Sequence, residues 1–121
     1  MQIGQISITA HDLPRAVAFY RDALGLPFLF EAPPQMAFFD CGGIRLMVGV
    51  PSAEEFDHPA SILYFKVDDI QATHATFLER GVVFRTAPHR AAKMPDHELW
   101  LAFFQDSEGN TLALMSEVKS S

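Results

Sequence analysis

The densest run of residues able to do chemistry lies between Ala87 and Glu98. It holds His89, Arg90, Lys93, Asp96, His97 and Glu98. Two histidines and a carboxylate so close in sequence suit either of two jobs. Histidine titrates near neutral pH, so His89, His97 and Glu98 are candidate proton donors and acceptors. The same three side chains are also donors for a divalent metal. Elsewhere the chemistry is sparser. Arg45, if it points toward a cavity, needs a partner or a ligand anion, and if it points away it is an ordinary hairpin arginine. Cys41 stands beside Gly42 and Gly43 with no neighbour to lower its pKa, and reads as a structural thiol.

These groups need elements to hold them. Ile6, Ile8 and Ala10 alternate with Ser7, Thr9 and His11, the period of a half-buried strand. Asp12 then stands as an N-cap with Pro14 just inside the first turn. Leu13, Ala16, Val17, Tyr20 and Leu24 recur at helical spacing, and Gly25 ends the helix. The same unit returns about 57 residues later. Leu63, Phe65 and Val67 alternate, Asp68 and Asp69 supply a cap, Ile70, His74, Phe77 and Leu78 form a stripe, and Gly81 stops it. Further strands are expected near Phe28–Glu31, Met36–Asp40, Ile44–Val50, Val82–Thr86, Glu98–Gln105 and Thr111–Glu117. Residues 87–98 show no clear period, contain two prolines, and read as a long polar loop of the kind that often carries function.

Composition narrows the class. The chain has 121 residues, about half of them apolar, which suits one folded domain with a core. A formal net charge of −6 argues against nucleic acid, which needs a basic footprint. The same charge suits a cationic ligand without selecting one. No apolar run reaches membrane-spanning length, so no membrane partner is expected. Met1-Gln2-Ile3 does not begin a signal peptide, and the single cysteine forms no internal disulfide, so a cytoplasmic protein is expected.

Three separated signals fall in one order: Ile6 to Leu26 with its Asp12-Leu13, Phe19-Tyr20-Arg21-Asp22 and Gly25-Leu26; Val67-Asp68-Asp69-Ile70; and Asp106-Ser107-Glu108-Gly109-Asn110 leading to Leu112-Ala113-Leu114-Met115. In this the chain resembles the vicinal oxygen chelate superfamily, which includes glyoxalase I, bleomycin-resistance proteins, fosfomycin-resistance proteins and extradiol dioxygenases. The resemblance implies an α+β fold of two βαβββ modules. They would form a curved eight-stranded mixed sheet with helices on its convex face, in one domain over residues 1–121. Module one would cover 2–51, a linker 52–59 and module two 60–118. The resemblance also implies a homodimer.

In that superfamily four inner-strand positions hold a divalent metal. Carried over one at a time, they fall on Gln5, on Arg45 or Met47, on Ile62 and on Ala113. Only Gln5 is a usable ligand of the expected kind, so no metal and no other cofactor is predicted. A divalent metal bound by a non-standard set remains the alternative. The vacated positions would leave a cavity of apolar character. Its lining is expected to comprise Gln5, Ser7, Thr9, Arg45, Met47, Ile62, Tyr64, Lys66, Ala113 and Met115. Trp100, on a strand where Trp100, Ala102 and Phe104 share a face, would join them.

Three functions follow. The chain is foremost a small-molecule-binding protein that holds its ligand under the 87–98 loop. The alternatives are a metal-dependent lyase, isomerase or dioxygenase of glyoxalase type, and a metal-independent enzyme using His89, His97 or Glu98.

Overall fold

The computed structural model describes residues 1–59 and 61–119. Ala60, the expected first residue of module two, and Ser120 and Ser121 at the domain's end lie outside the described residues. The chain divides into two compact units, Met1–Ala60 with Asp106–Asn110, and Ser61–Gln105 with Thr111–Ser121.

In the first unit the elements are β1 (Gln5–Thr9), α1 (Leu13–Ala18), β2 (Phe28–Ala32), β3 (Met36–Cys41) and β4 (Ile44–Gly49). The sheet runs in the order β1-β4-β3-β2, with β1 parallel to β4 and the other pairs antiparallel. The Asp12 carboxylate caps α1 by accepting from the Arg15 amide at 3.0 Å. The helical stripe stays regular only to Ala18. Phe19–Ala23 widens into a π-helical turn, with the Leu24 amide donating to the Phe19 carbonyl at 3.0 Å.

The two faces of this sheet differ. Ile8, Ala37, Phe39, Leu46 and Val48 are buried with Leu13, Ala16, Val17 and Tyr20 of the helical segment. Their strand neighbours Gln5, Ser7, Thr9, Met36, Arg45 and Met47 point the other way. A one-residue slip would exchange the faces and expose side chains whose burial is worth about 1.5–3 kcal/mol each, which fixes the register.

The second unit holds β5 (Leu63–Lys66), α2 (Ile70–Glu79), β6 (Val83–Phe84), β7 (His89–Lys93), β8 (His97–Gln105) and β9 (Thr111–Lys119). Its order is β5-β9-β8-β6, with β7 also paired to β8. Asp69 caps α2 through the Ala72 amide at 3.1 Å, and Gly81 takes φ 85° where the chain leaves the helix. Phe77 meets Phe104 edge-on at 6.0 Å, within a core that includes Ala102, Leu112 and Leu114.

The α+β class and the two βαβββ modules are as the sequence implies. The strands form two mixed sheets, of four and five strands. The fifth strand of the second sheet is a correction. Residues 87–98 are not a free loop, because His89–Lys93 pairs antiparallel with β8 across a bulge between Arg90 and Ala92. The strand was hidden because it carries polar residues on both faces and lies mostly exposed, as an outer strand does.

Candidate functional site

The outward face of the first sheet carries a pocket of about 370 Å³. Ser7 and Thr9 of β1, Met36 of β3 and Met47 of β4 line it, with Gly49 at the end of β4. The segment after β4 closes one side through Val50, Pro51, Ser52 and Phe56. Pro34, from the turn before β3, completes the lining. The volume and the largely apolar lining with a few hydroxyls are those of small-molecule sites.

Several contacts hold the closing segment over the sheet. The Val50 amide donates to the Gln35 carbonyl at 3.0 Å. The Thr9 hydroxyl lies 3.4 Å from the Phe56 carbonyl and 3.5 Å from that of His58. His11 Nε2 stands 3.1 Å from Asp57 Oδ1. Phe56 is 57% exposed although it borders an apolar pocket.

Beside the pocket, on the same face, Gln5 stands opposite Arg45 in register. Arg45 Nε donates to Gln5 Oε1 at 2.9 Å, and the Gln5 amide nitrogen lies 3.7 Å from the Met47 sulfur. The guanidinium carbon sits 5.4 Å from the centre of the Phe38 ring, which is stacked on Phe30 at 4.7 Å.

The turn Asp106–Asn110 belongs to this same unit and fixes the end of β1. Glu108 Oε1 accepts from the amides of His11 and Asp12 at 2.8 and 2.9 Å. Its Oε2 accepts from Arg15 Nε at 2.7 Å and from the Ser107 hydroxyl at 3.0 Å. Burial pushes this carboxyl up, but the Arg15 hydrogen bond, the two amides and Ser107 outweigh it and hold the pKa at about 2. The Asn110 side-chain amide donates to the Thr9 carbonyl at 3.0 Å. Asp106 accepts from the buried Tyr20 hydroxyl at 2.7 Å.

The second sheet has its own outward face. Tyr64 and Lys66 of β5 pair with Ala113 and Met115 of β9, which pair in turn with Phe103 and Leu101 of β8. Tyr64 meets Phe103 edge-on at 6.0 Å and Lys66 lies 3.6 Å from Glu117. Ile62, just before β5, is 45% exposed. Trp100 does not join this face. It pairs with Ser116 and shares the opposite side with Ala102 and Phe104, the side that packs on α2. Its indole donates to Glu98 at 3.1 Å.

His89, His97 and Glu98 are not brought together. His89 stands opposite Leu101, four residues along β8 from His97, a separation of about 13 Å at ordinary strand rise. Glu98 points to the opposite face from His97, toward Trp100 and Arg90. The Trp100 hydrogen bond first, then Arg90, holds the Glu98 carboxyl below the usual range, so it is an ionised acceptor at neutral pH. His97 Nδ1 is engaged with Asp96 at 2.8 Å and His89 Nδ1 with the Ala87 carbonyl at 3.0 Å.

The positions implied for a metal do not fit one. Gln5 is bound to a guanidinium and faces a thioether, and Ile62 and Ala113 offer no donor. Among the described residues no three His, Cys, Asp or Glu side chains gather in a metal-binding group.

Against known proteins, the model of the Glyoxalase/Bleomycin resistance protein/Dioxygenase superfamily matches residues 2–114. The chain belongs to this family. It is 29% identical to the uncharacterized protein YraH of Bacillus subtilis (strain 168), covering 94% of this chain and 97% of that one. It is 33% identical to a glyoxylase-like domain-containing protein of Didymella fabae, covering 93% and 91%. Among solved structures, a member of the superfamily from Sphaerobacter thermophilus DSM 20745 superposes with TM-score 0.77 at 24% identity, over 97% of this chain and 98% of that one. A lactoylglutathione lyase from Agrobacterium tumefaciens gives 0.74 at 24%, over 95% and 92%. At these identities the structures establish the fold alone. Among the described residues no helix is long and apolar enough to cross a membrane.

Proposed function

We propose that this protein is a metal-free, small-molecule-binding member of its family, with the ligand seated in the pocket on the outward face of the first sheet. The observation that supports this is the 370 Å³ cavity itself, lined by Met36, Met47 and Phe56 with the hydroxyls of Ser7 and Thr9. An apolar aromatic body fits such a lining. The metal-dependent lyase, isomerase or dioxygenase reading is weaker because the implied donors are a guanidinium-bound amide, a thioether and two aliphatic side chains. The metal-independent reading is weaker because His89, His97 and Glu98 diverge. A cytoplasmic location agrees with the lone Cys41, half-buried and with its thiol pushed up by burial.

The test is a fluorescence titration with N-phenyl-1-naphthylamine, a neutral aromatic probe. Saturable binding is expected. Ser7→Trp, at an exposed position whose new ring fills the cavity, is expected to weaken it at least tenfold, while chelator leaves it unchanged. Elemental analysis after exposure to Ni, Zn, Mn and Fe is expected to give well below one metal per chain. Unchanged affinity in Ser7→Trp, or stoichiometric metal, would overturn the reading.

We also propose a homodimer. Phe28, Leu29 and Phe30 are 38–47% exposed on β2, an outer strand of its sheet, and such an edge favours a covering partner. Light scattering is expected to give twice the chain mass of 13.5 kDa. Leu29→Lys should shift the population toward monomer. Monomer alone across a concentration series would remove the dimer.

A further inference from the structure

The geometry points to an anionic ligand, with Arg45 as the fixed cation that receives its charged group beside the apolar pocket. This rests on the binding reading above and adds the chemical class of the ligand.

Arg45 and Met47 are two residues apart on β4, so both face outward and lie about 7 Å apart along the strand. Met47 lines the pocket. A ligand with its body against Met47 therefore reaches Arg45 with a group one strand step away. The guanidinium is oriented in advance. Its Nε is held by Gln5 Oε1 at 2.9 Å and its carbon lies over the Phe38 ring, 5.4 Å from the ring centre. These contacts use one donor and leave the terminal nitrogens for a planar or tetrahedral anion.

Among the described residues Arg45 forms no ion pair, unlike Arg15, Arg21 and Arg90. Asp40, its cross-strand neighbour, directs Oδ1 to the Gly43 amide at 3.1 Å within the hairpin turn and makes no ion pair with Arg45. On the second sheet, Lys66 is already matched by Glu117 at 3.6 Å. The protein's net charge of −6 repels anions in general. Any preference for an anion must therefore come from a local cation.

The test compares two probes of one aromatic skeleton, 1-anilinonaphthalene-8-sulfonate and the neutral N-phenyl-1-naphthylamine, by fluorescence titration. The sulfonate is expected to bind more tightly despite the net charge. Arg45→Gln should weaken the sulfonate at least tenfold and leave the neutral probe within twofold, which also reports an intact pocket. Ser7→Trp should weaken both. Equal affinity for the two probes, or equal loss of both in Arg45→Gln, would overturn the anion assignment and leave the pocket standing. Binding of both probes unaffected by Ser7→Trp, or no binding of either, would overturn the pocket reading and this inference together.

Discussion

Replacing Asp106 with alanine is expected to destabilise the protein by about 3–4 kcal/mol. Asp106 is 7% exposed and its carboxylate accepts four hydrogen bonds. They come from the Tyr20 hydroxyl at 2.7 Å, the amides of Glu108 and Asn110 at 2.8 and 2.7 Å, and the Asn110 side chain at 2.8 Å. Truncation strands the Tyr20 hydroxyl in a fully buried position and unties the turn that bonds to Thr9. Burial first, then the Asp106 charge, raises the Tyr20 phenol well above its ordinary range, so it remains a donor at every working pH. Tyr20→Phe should cost about 1–2 kcal/mol, since Asp106 keeps its other donors. In thermal unfolding Asp106→Ala should lower Tm by about 12–16 °C. Equal costs for the two variants would mean that the turn is not held through Asp106.

The second large effect is a pH dependence carried by Glu108. Its side chain is fully covered, with its carboxyl at about pKa 2 against an ordinary 4.5. A depressed folded-state pKa means that the unfolded chain binds the proton first as pH falls. The contribution is therefore complete above pH 4.5 and is lost as pH drops from 4.5 toward 2. The shift corresponds to about 3 kcal/mol, reduced to about 2 by solvent at the half-exposed Arg15. Glu108→Gln should lose about that much stability at pH 7 and show a correspondingly flatter fall between pH 5 and 2. Urea midpoints at pH 7, 5 and 3 give the comparison. Asp22 and Asp96 also sit below their ordinary range, but they are solvated and should add little to the slope. An unchanged acid limb in the variant would refute the assignment to Glu108.

Much of the site's framework is written locally in the chain. Asp12 and Asp69 announce both helices because a carboxylate at that place satisfies a free amide of the first turn. Alternation in β1 places Ser7 and Thr9 on one face and Ile8 on the other. The same reading applied to β3 would have found Met36 in the pocket, and Phe56, a lone large aromatic in an acidic linker, was a visible signal. The strand at His89–Lys93 was not legible, because a polar outer strand has no buried face to impose a period. Trp100 takes the face opposite to the expected one. Two-residue alternation groups Trp100 with Ala102 and Phe104, but only the pairing with β9 says which face of the sheet that group takes.

The α+β class, the repeated module, the helix caps, the family and the paucity of metal donors at the implied positions are all legible in the chain before it folds. Each depends on residue type or on spacing within one element. Folding brings Arg45 onto Gln5, sets Glu108 and Asp106 to brace a segment some ninety residues away, and parts His89, His97 and Glu98. Those outcomes depend on strand register and on contacts between distant segments, which the burial of the whole core selects and no local pattern encodes.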